Sequence, residues 1–387
     1  MPQNQPADGR WAEFRSQMPI ARTWAYFDHA AVAPLSSPAQ DVVLEWCQQA
    51  CWQGGAAWPQ WADRVEAIRG LVARLINASA EEIAFVHNTT AGISLVAEGL
   101  AWQPGDNLVT LDNEFPSNVY PWMNLRDRGV ETRRVPVADG RVDPDAILAR
   151  CDDRTRLIAV SWVGFASGWR LNVADLVARA HERGVLVLLD AIQGLGVFPL
   201  DVAQTQVDFL AADGHKWMLG PEGAGVFYVR RAHLDRLRPL GVGWNSVVHA
   251  HDFHRIALDL RPTAERYEGG SRNMVGILAL GASLELLTRM GLSHDKSPVA
   301  QRVLEVTDLA CQRLEEVGAR VVTHREGDHR SGIVVFDVPG RDPAELRRAC
   351  QAEQVMLSCR AGRLRISPHA YTNDEDVARL IDVIQRR

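Results

Sequence analysis

No apolar run in this sequence is long enough to span a membrane, so no membrane partner is expected. The segment from Met1 to Asp8 lacks the basic and then apolar regions of a secretory signal, which makes the cytoplasm the default compartment. A basic surplus is missing as well: 42 Lys and Arg against 48 Asp and Glu give a formal net charge of -6, which argues against nucleic-acid binding. The six cysteines, Cys47, Cys51, Cys151, Cys311, Cys350 and Cys359, form no CxxC pair and no cysteine–histidine cluster at zinc-binding spacing. Neither a disulfide framework nor a metal is therefore expected. Cys47 and Cys51, four apart in a helix-like stretch, read as small core thiols. Internal repeats and low-complexity segments are also absent.

What is present is ordinary globular material, 47% hydrophobic and 23% charged, in a chain of 387 residues. That length suggests one large domain and a smaller one. Short apolar runs at Ile83–Val86, Leu108–Leu111, Leu157–Ser161 and Val185–Leu189 alternate with amphipathic stretches such as Val173–His181, a pattern of parallel strands joined by helical crossovers. Val207–Ala212 and Ala224–Val229 continue it. This predicts an α/β domain with a mostly parallel sheet over residues 20–270. A long apolar-periodic helix then spans Val275–Met290, and strand candidates at Ser331–Phe336 and Gln354–Cys359 flank a helix over Pro343–Gln351. These belong to a smaller α+β domain, residues 271–387 together with 1–19.

The most informative stretch is Leu188–Gln193, followed about twenty residues later by Ala212-Asp213-Gly214-His215-Lys216-Trp217. Asp190 and Lys216 both fall just after a strand pattern, and in an α/β sheet the strand C-termini form the ligand crevice. A lysine amine and a carboxylate facing one crevice are what pyridoxal 5′-phosphate (PLP) needs, the first to hold its aldehyde and the second to keep its pyridine nitrogen protonated. Taken singly, the lysine reads as a solvated residue and the aspartate as a helix cap. Upstream, Phe85–Ile93 passes from strand to helix through His87-Asn88-Thr89-Thr90, where free N–H groups and hydroxyls make an anion site or an ordinary N-cap.

Together these segments resemble the class V aminotransferase and cysteine desulfurase family of fold-type-I PLP enzymes, in which Asp-x-x-Gln and His-Lys at this separation precede Gly-Pro-x-Gly, here Gly220-Pro221-Glu222-Gly223. The resemblance runs from Tyr26–Ala31 to the arginines near Arg365. It implies that Lys216 carries the Schiff base, Asp190 pairs with the pyridinium nitrogen and Gln193 bonds the phenolic oxygen. Thr89, Thr90, His215 and the position of Asp213 belong to the phosphate site, and Phe115 takes the place of a ring that stacks on the cofactor. Core packing is the plainer role for Phe115. Ser271, in Tyr267-Glu268-Gly269-Gly270-Ser271-Arg272-Asn273, resembles a loop that reaches the phosphate of a partner subunit, which implies a homodimer; an exposed turn is the alternative. Arg365, with Arg360 as a second contact and Ala31 nearby, matches the substrate-carboxylate site, since a guanidinium fork suits a carboxylate.

Three departures from the desulfurase pattern bear on function. Only Ala361-Gly362-Arg363-Leu364 separate Arg360 from Arg365, where desulfurases carry a loop with a nucleophilic cysteine. Cys359 falls in a strand pattern that turns it away from the Arg360 face, as a buried structural thiol. Trp162 stands near the place of an asparagine that contacts the cofactor, and Asp213 replaces a hydroxyl residue, needing an offsetting cation such as His215 or Arg272. These features bring the chain closer to isopenicillin N epimerases, selenocysteine lyases and C–S lyases such as those acting on hercynylcysteine sulfoxide. The expected activity is β-elimination on a sulfur- or selenium-containing amino acid, with Lys216 as α-proton base and without a catalytic cysteine. Transamination or epimerisation are the alternatives. A non-catalytic PLP-binding scaffold would have been marked by loss of Lys216 or Asp190, and both are present.

Overall fold

The computed structural model describes residues 7–386. The short strand β1 (Ala25–Tyr26) comes first and pairs, parallel, with a strand from far along the chain. A seven-stranded sheet follows: β2 (Ile83–Val86), β3 (Asn107–Leu111), β4 (Glu131–Val135), β5 (Thr155–Ser161), β6 (Leu186–Asp190), β7 (Phe209–Asp213) and β8 (Gly225–Val229). Its order is β2-β8-β7-β6-β5-β3-β4. Every pairing is parallel except the two made by β8, which runs against both neighbours. The C-terminal ends of β2, β3, β5, β6 and β7 therefore share one edge. β6 and β7 read as unbroken apolar runs because helices cover both faces of the sheet. The edge strand β4 was not apparent from apolar patterning, since Glu131-Thr132-Arg133-Arg134 keeps charge on an exposed edge.

The helix Thr89–Gly99 follows β2 and lies against β7, where Gly92 permits a close approach: a Cβ there would sit 2.7 Å from Ala211 Cβ. Asn88 caps it by accepting from Ala91 N–H at 2.8 Å. Val173–His181 and Met274–Arg289 are helices as the periodicity indicates. Beyond them β9 (Arg320–Val321), β10 (Val334–Asp337), β12 (Ser358–Arg360) and β13 (Arg363–Ile366) form an antiparallel sheet in the order β12-β13-β10-β9. The apolar run at 354–359 is divided: β11 (Val355–Met356) pairs with β1, and only β12 joins the sheet. Ala25 and Phe27 pack in the core of this region beside Phe336, Leu364 and Ile366. Among the described residues, no helix is long and apolar enough to cross a membrane.

Two expectations about cysteine are overturned. Cys47 and Cys51 are exposed on the helix Ser37–Trp52, whose outer face also carries Leu44 and Trp52. Cys359 is half-buried rather than buried, although β12 does point it away from Arg365.

Candidate active site

Along the shared strand edge lies a cavity of about 380 Å³ that gathers the residues expected to hold cofactor and substrate with one exception. A larger hollow, about 660 Å³, holds that exception, Ser271, together with Trp58 and Trp244, but no lysine. Chemistry rather than size marks the smaller one.

Its deep end is built by the sheet. Lys216 follows β7 and is only 8% exposed. Burial pushes its amine down to about 8, and the nearby Asp190 partly offsets that shift. Asp190, the last residue of β6, is itself buried, and desolvation raises its carboxyl to about 6 against the Ile192 N–H and Lys216, which favour the anion. An amine that loses its proton near neutral pH thus faces a carboxylate still charged there. Phe115 is 44% exposed, with the Lys216 Nζ 5.6 Å from its ring centroid, so it caps the cavity and is not core packing. Its ring meets Phe165 edge-on at 5.3 Å. Gln193 donates through Nε2 to Ala30 O at 3.0 Å and accepts from Trp217 Nε1 at 2.8 Å, leaving one amide hydrogen for a ligand.

The anion end is the start of the helix Thr89–Gly99. Asp213 N–H donates to Thr89 Oγ1 at 2.9 Å and Thr90 Oγ1 to Ser117 Oγ at 2.8 Å, which fixes both hydroxyls beside the free N–H groups of the first turn. The Asp213 carboxylate accepts from Gly214 N–H and lies 2.9 Å from His215 Nδ1, within ion-pair distance but not in hydrogen-bond geometry. Arg272 does not offset Asp213 within the chain; it is bound to Glu66, Glu265 and Glu268.

The opposite end comes from remote segments. Arg365, 1% exposed, donates from Nε to Ser358 Oγ at 3.1 Å, from Nη1 to Phe165 O at 2.8 Å and from Nη2 to Asp28 Oδ1 at 3.3 Å. Burial lowers its pKa, and Asp28 works against that. Arg360 is exposed and reaches the same cavity, as do Ala31 and Val32. Arg360 and Arg363 face each other across a two-residue turn, Ala361-Gly362, with φ of 48 and 74°. Positive φ at both positions is the tight hairpin form that joins strands directly.

Trp162 is turned into the core, packed on Gly194 and Phe198, and does not line the cavity. Two buried carboxylates escaped the sequence reading, Asp28 beneath Arg365 and Glu114 beside Phe115. A simple signal for Lys216 was also overlooked: the sequence holds only one other lysine, the exposed Lys296, so a buried lysine here stands out. The residues fit PLP. A buried amine with a depressed pKa, a facing carboxylate and a helix start carrying two hydroxyls are the three contacts that the group requires.

Comparison with known proteins agrees. A family model described as aminotransferase class-V matches residues 25–380. A probable cysteine desulfurase of Methanothermobacter thermautotrophicus is 28% identical over 97% of this chain and 98% of its own length. A cysteine desulfurase of Pectobacterium atrosepticum is 33% identical, covering 84% of this chain and 83% of its own. The apo structure of a cysteine desulfurase from Thermococcus onnurineus NA1 superposes with a TM-score of 0.88 at 25% identity, over 100% of this chain and 99% of that one.

Proposed function

The chain belongs to the class-V aminotransferase family and is a PLP-dependent enzyme, and from that premise we propose that it performs β-elimination on a sulfur- or selenium-containing amino acid without a catalytic cysteine. The observation that carries this reading is the Ala361-Gly362 turn: it joins Arg360 to Arg363 directly and leaves no loop to bring a nucleophile to the substrate. Among the described residues no cysteine lines the cavity around Lys216. The names of the relatives favour a second reading, cysteine desulfurase, which would need a thiol within reach.

Bound here, PLP would supply an electron sink for a carbanion at the substrate α-carbon. In this reading Lys216 holds it, Asp190 keeps its ring nitrogen protonated, Gln193 donates its spare amide hydrogen to the ring oxygen, and Phe115 covers its face. Thr89, Thr90 and the first-turn N–H groups take the phosphate, with His215 moderating Asp213. Arg365 and Arg360 grip the substrate carboxylate beside Ala31, which fixes the α-hydrogen toward the amine. Lys216, displaced as a neutral amine, removes that proton, and its depressed pKa lets it do so near neutral pH. Ser271 lies outside its own chain's lysine cavity and serves the phosphate of a second copy; light scattering of the active enzyme at the mass of one chain would remove that role. The deciding experiment is a panel of cysteine, cystine, selenocysteine and sulfur-free amino acids. Pyruvate in equal amount to the released leaving group, which is sulfide from cysteine, selenide from selenocysteine and cysteine persulfide from cystine, supports β-elimination, whereas keto acids that retain the whole side chain establish transamination instead.

A further inference from the structure

One buried carboxylate stands beside this site without a part in the chemistry above. Glu114 follows β3, immediately before Phe115, and is 8% exposed. Its Oε1 accepts from Ser161 N–H at 2.7 Å and its Oε2 is hydrogen-bonded to the Ser161 hydroxyl. Ser161 ends β5 and is the register partner of Asp190 on β6. Glu114 thus reaches over the end of β5 to within about one strand spacing, roughly 4.8 Å, of the strand that bears Asp190. We propose that Glu114 is a positioning residue for the cofactor: anchored on Ser161 as a neutral acid, it holds Phe115 over Lys216 and adds no second negative charge beside Asp190.

The charges around it support this. From β6 it faces the Asp190 carboxylate, from β5 the Ser161 N–H and hydroxyl, and from its own segment the Nδ2 of Asn118, which makes no hydrogen bond of standard geometry, while Asn118 Oδ1 accepts from Trp122 Nε1 at 3.0 Å. No cation among the described residues is within ion-pair distance of Glu114 to balance a second anion. Burial, reinforced by Asp190 and opposed by Ser161 and Asn118, brings its carboxyl up to about 7. The mechanical part is equally local. Phe115 is half-open to solvent, with Phe165 edge-on against its ring, so its place depends on how residues 112–118 are tied down. Asp112 is tied at the start of the segment by Val137 N–H and Arg134, and Asn118 at its end by Trp122 Nε1; between them, Glu114 to Ser161 and Ser117 to Thr90 are the ties that flank Phe115.

The inference rests on the reading of Lys216 and Asp190 as the cofactor site, and its test separates the two. Apo-protein is titrated with PLP, following affinity and the visible circular dichroism of the bound chromophore. A wild-type protein that shows no visible band ends the site reading itself. Given that band, Glu114→Gln, which copies the shape of the neutral acid, keeps the affinity within about threefold and the dichroic sign and strength. Glu114→Ala loses about tenfold in affinity and most of the dichroism. Because Glu114 acts through Phe115, Glu114→Ala adds less than about twofold in a Phe115→Ala background. Glu114→Gln as damaging as Glu114→Ala would overturn the neutral-acid role. Multiplicative losses in the double variant would overturn the positioning role, since a general loss of packing does not spare the chain that lacks the ring.

Discussion

The two ends of the cavity are built on different plans. At the lysine end every group hangs from the edge of one sheet: Asp190 closes β6, Lys216 follows β7, and Thr89 opens the helix after β2. Strand register sets their spacing before any side chain is chosen. At the arginine end Arg365 sits on β13 of the second sheet and is held by Ser358, by the Phe165 carbonyl and by Asp28, which lie 7, 200 and 337 residues away in sequence. That end exists only when both sheets are docked. The contrast matches the division of work, because a cofactor asks for a fixed cradle whereas a substrate asks for a grip that must also release.

The strongest way to break this comparison is at the lysine end. Lys216→Ala abolishes turnover, since no other residue in the cavity can be both imine partner and α-proton base. Borohydride reduction of the loaded wild type fixes the cofactor to the peptide containing Lys216. Labelling of Lys296, the sole alternative lysine, would move the site elsewhere. At the arginine end the expected loss is smaller. Arg365→Ala removes a charge-assisted contact to the substrate carboxylate, at a cost of about 1.5–3 kcal/mol expressed mainly in KM. An equal collapse of kcat with KM unchanged would show that Arg365 acts on the chemical step rather than on binding.

The same contrast governs what could be read without coordinates. β6 and β7 were legible because burial on both faces leaves uninterrupted apolar runs, and the functional residues stand where those runs stop. The other end was legible only as an arginine-rich alternation, because its ties span the whole chain. One apolar run at 354–359 has two different partners, β1 and then β13, and periodicity cannot reveal a change of partner. Cys47 and Cys51 misled for a related reason: the helix Ser37–Trp52 is apolar on its outer face too, so helical spacing did not identify the buried side. Asp28 and Glu114 give no local signal, since a carboxylate becomes remarkable to chemistry only through what encloses it.

A finer prediction sharpens the account of the lysine end through pH. Capture of PLP by the apo-protein requires the neutral amine, and the neutral fraction of Lys216 grows as pH rises through about 8. The capture rate should therefore rise about fivefold between pH 7 and 8 and flatten above pH 9. An ordinary exposed lysine would still gain about sevenfold between pH 9 and 10. Stopped-flow absorbance across pH 6.5–10 measures this, and a rate that climbs steadily past pH 10 would mean that the amine is solvated in the apo state.

The smallest expected effect, and the one that separates the two readings of function, concerns Cys359. Its register partner is Leu364, which is 1% exposed in the core of the small sheet, so both side chains leave β12 and β13 on the face opposite Ser358 and Arg365. Cys359 is half-buried there and is absent from the lining of the lysine cavity. A thiolate must be exposed and aimed at the substrate to attack its sulfur, and the Ala361-Gly362 turn is too tight to carry Cys359 around the sheet. Cys359→Ala should keep turnover within about twofold of the wild type, the range of a surface change with a small packing cost. Trapping the working enzyme with an alkylating agent tests the same point directly. A persulfide recovered on Cys359, together with loss of sulfide release in Cys359→Ala, would require this hairpin to open during turnover and would replace β-elimination with desulfurase chemistry.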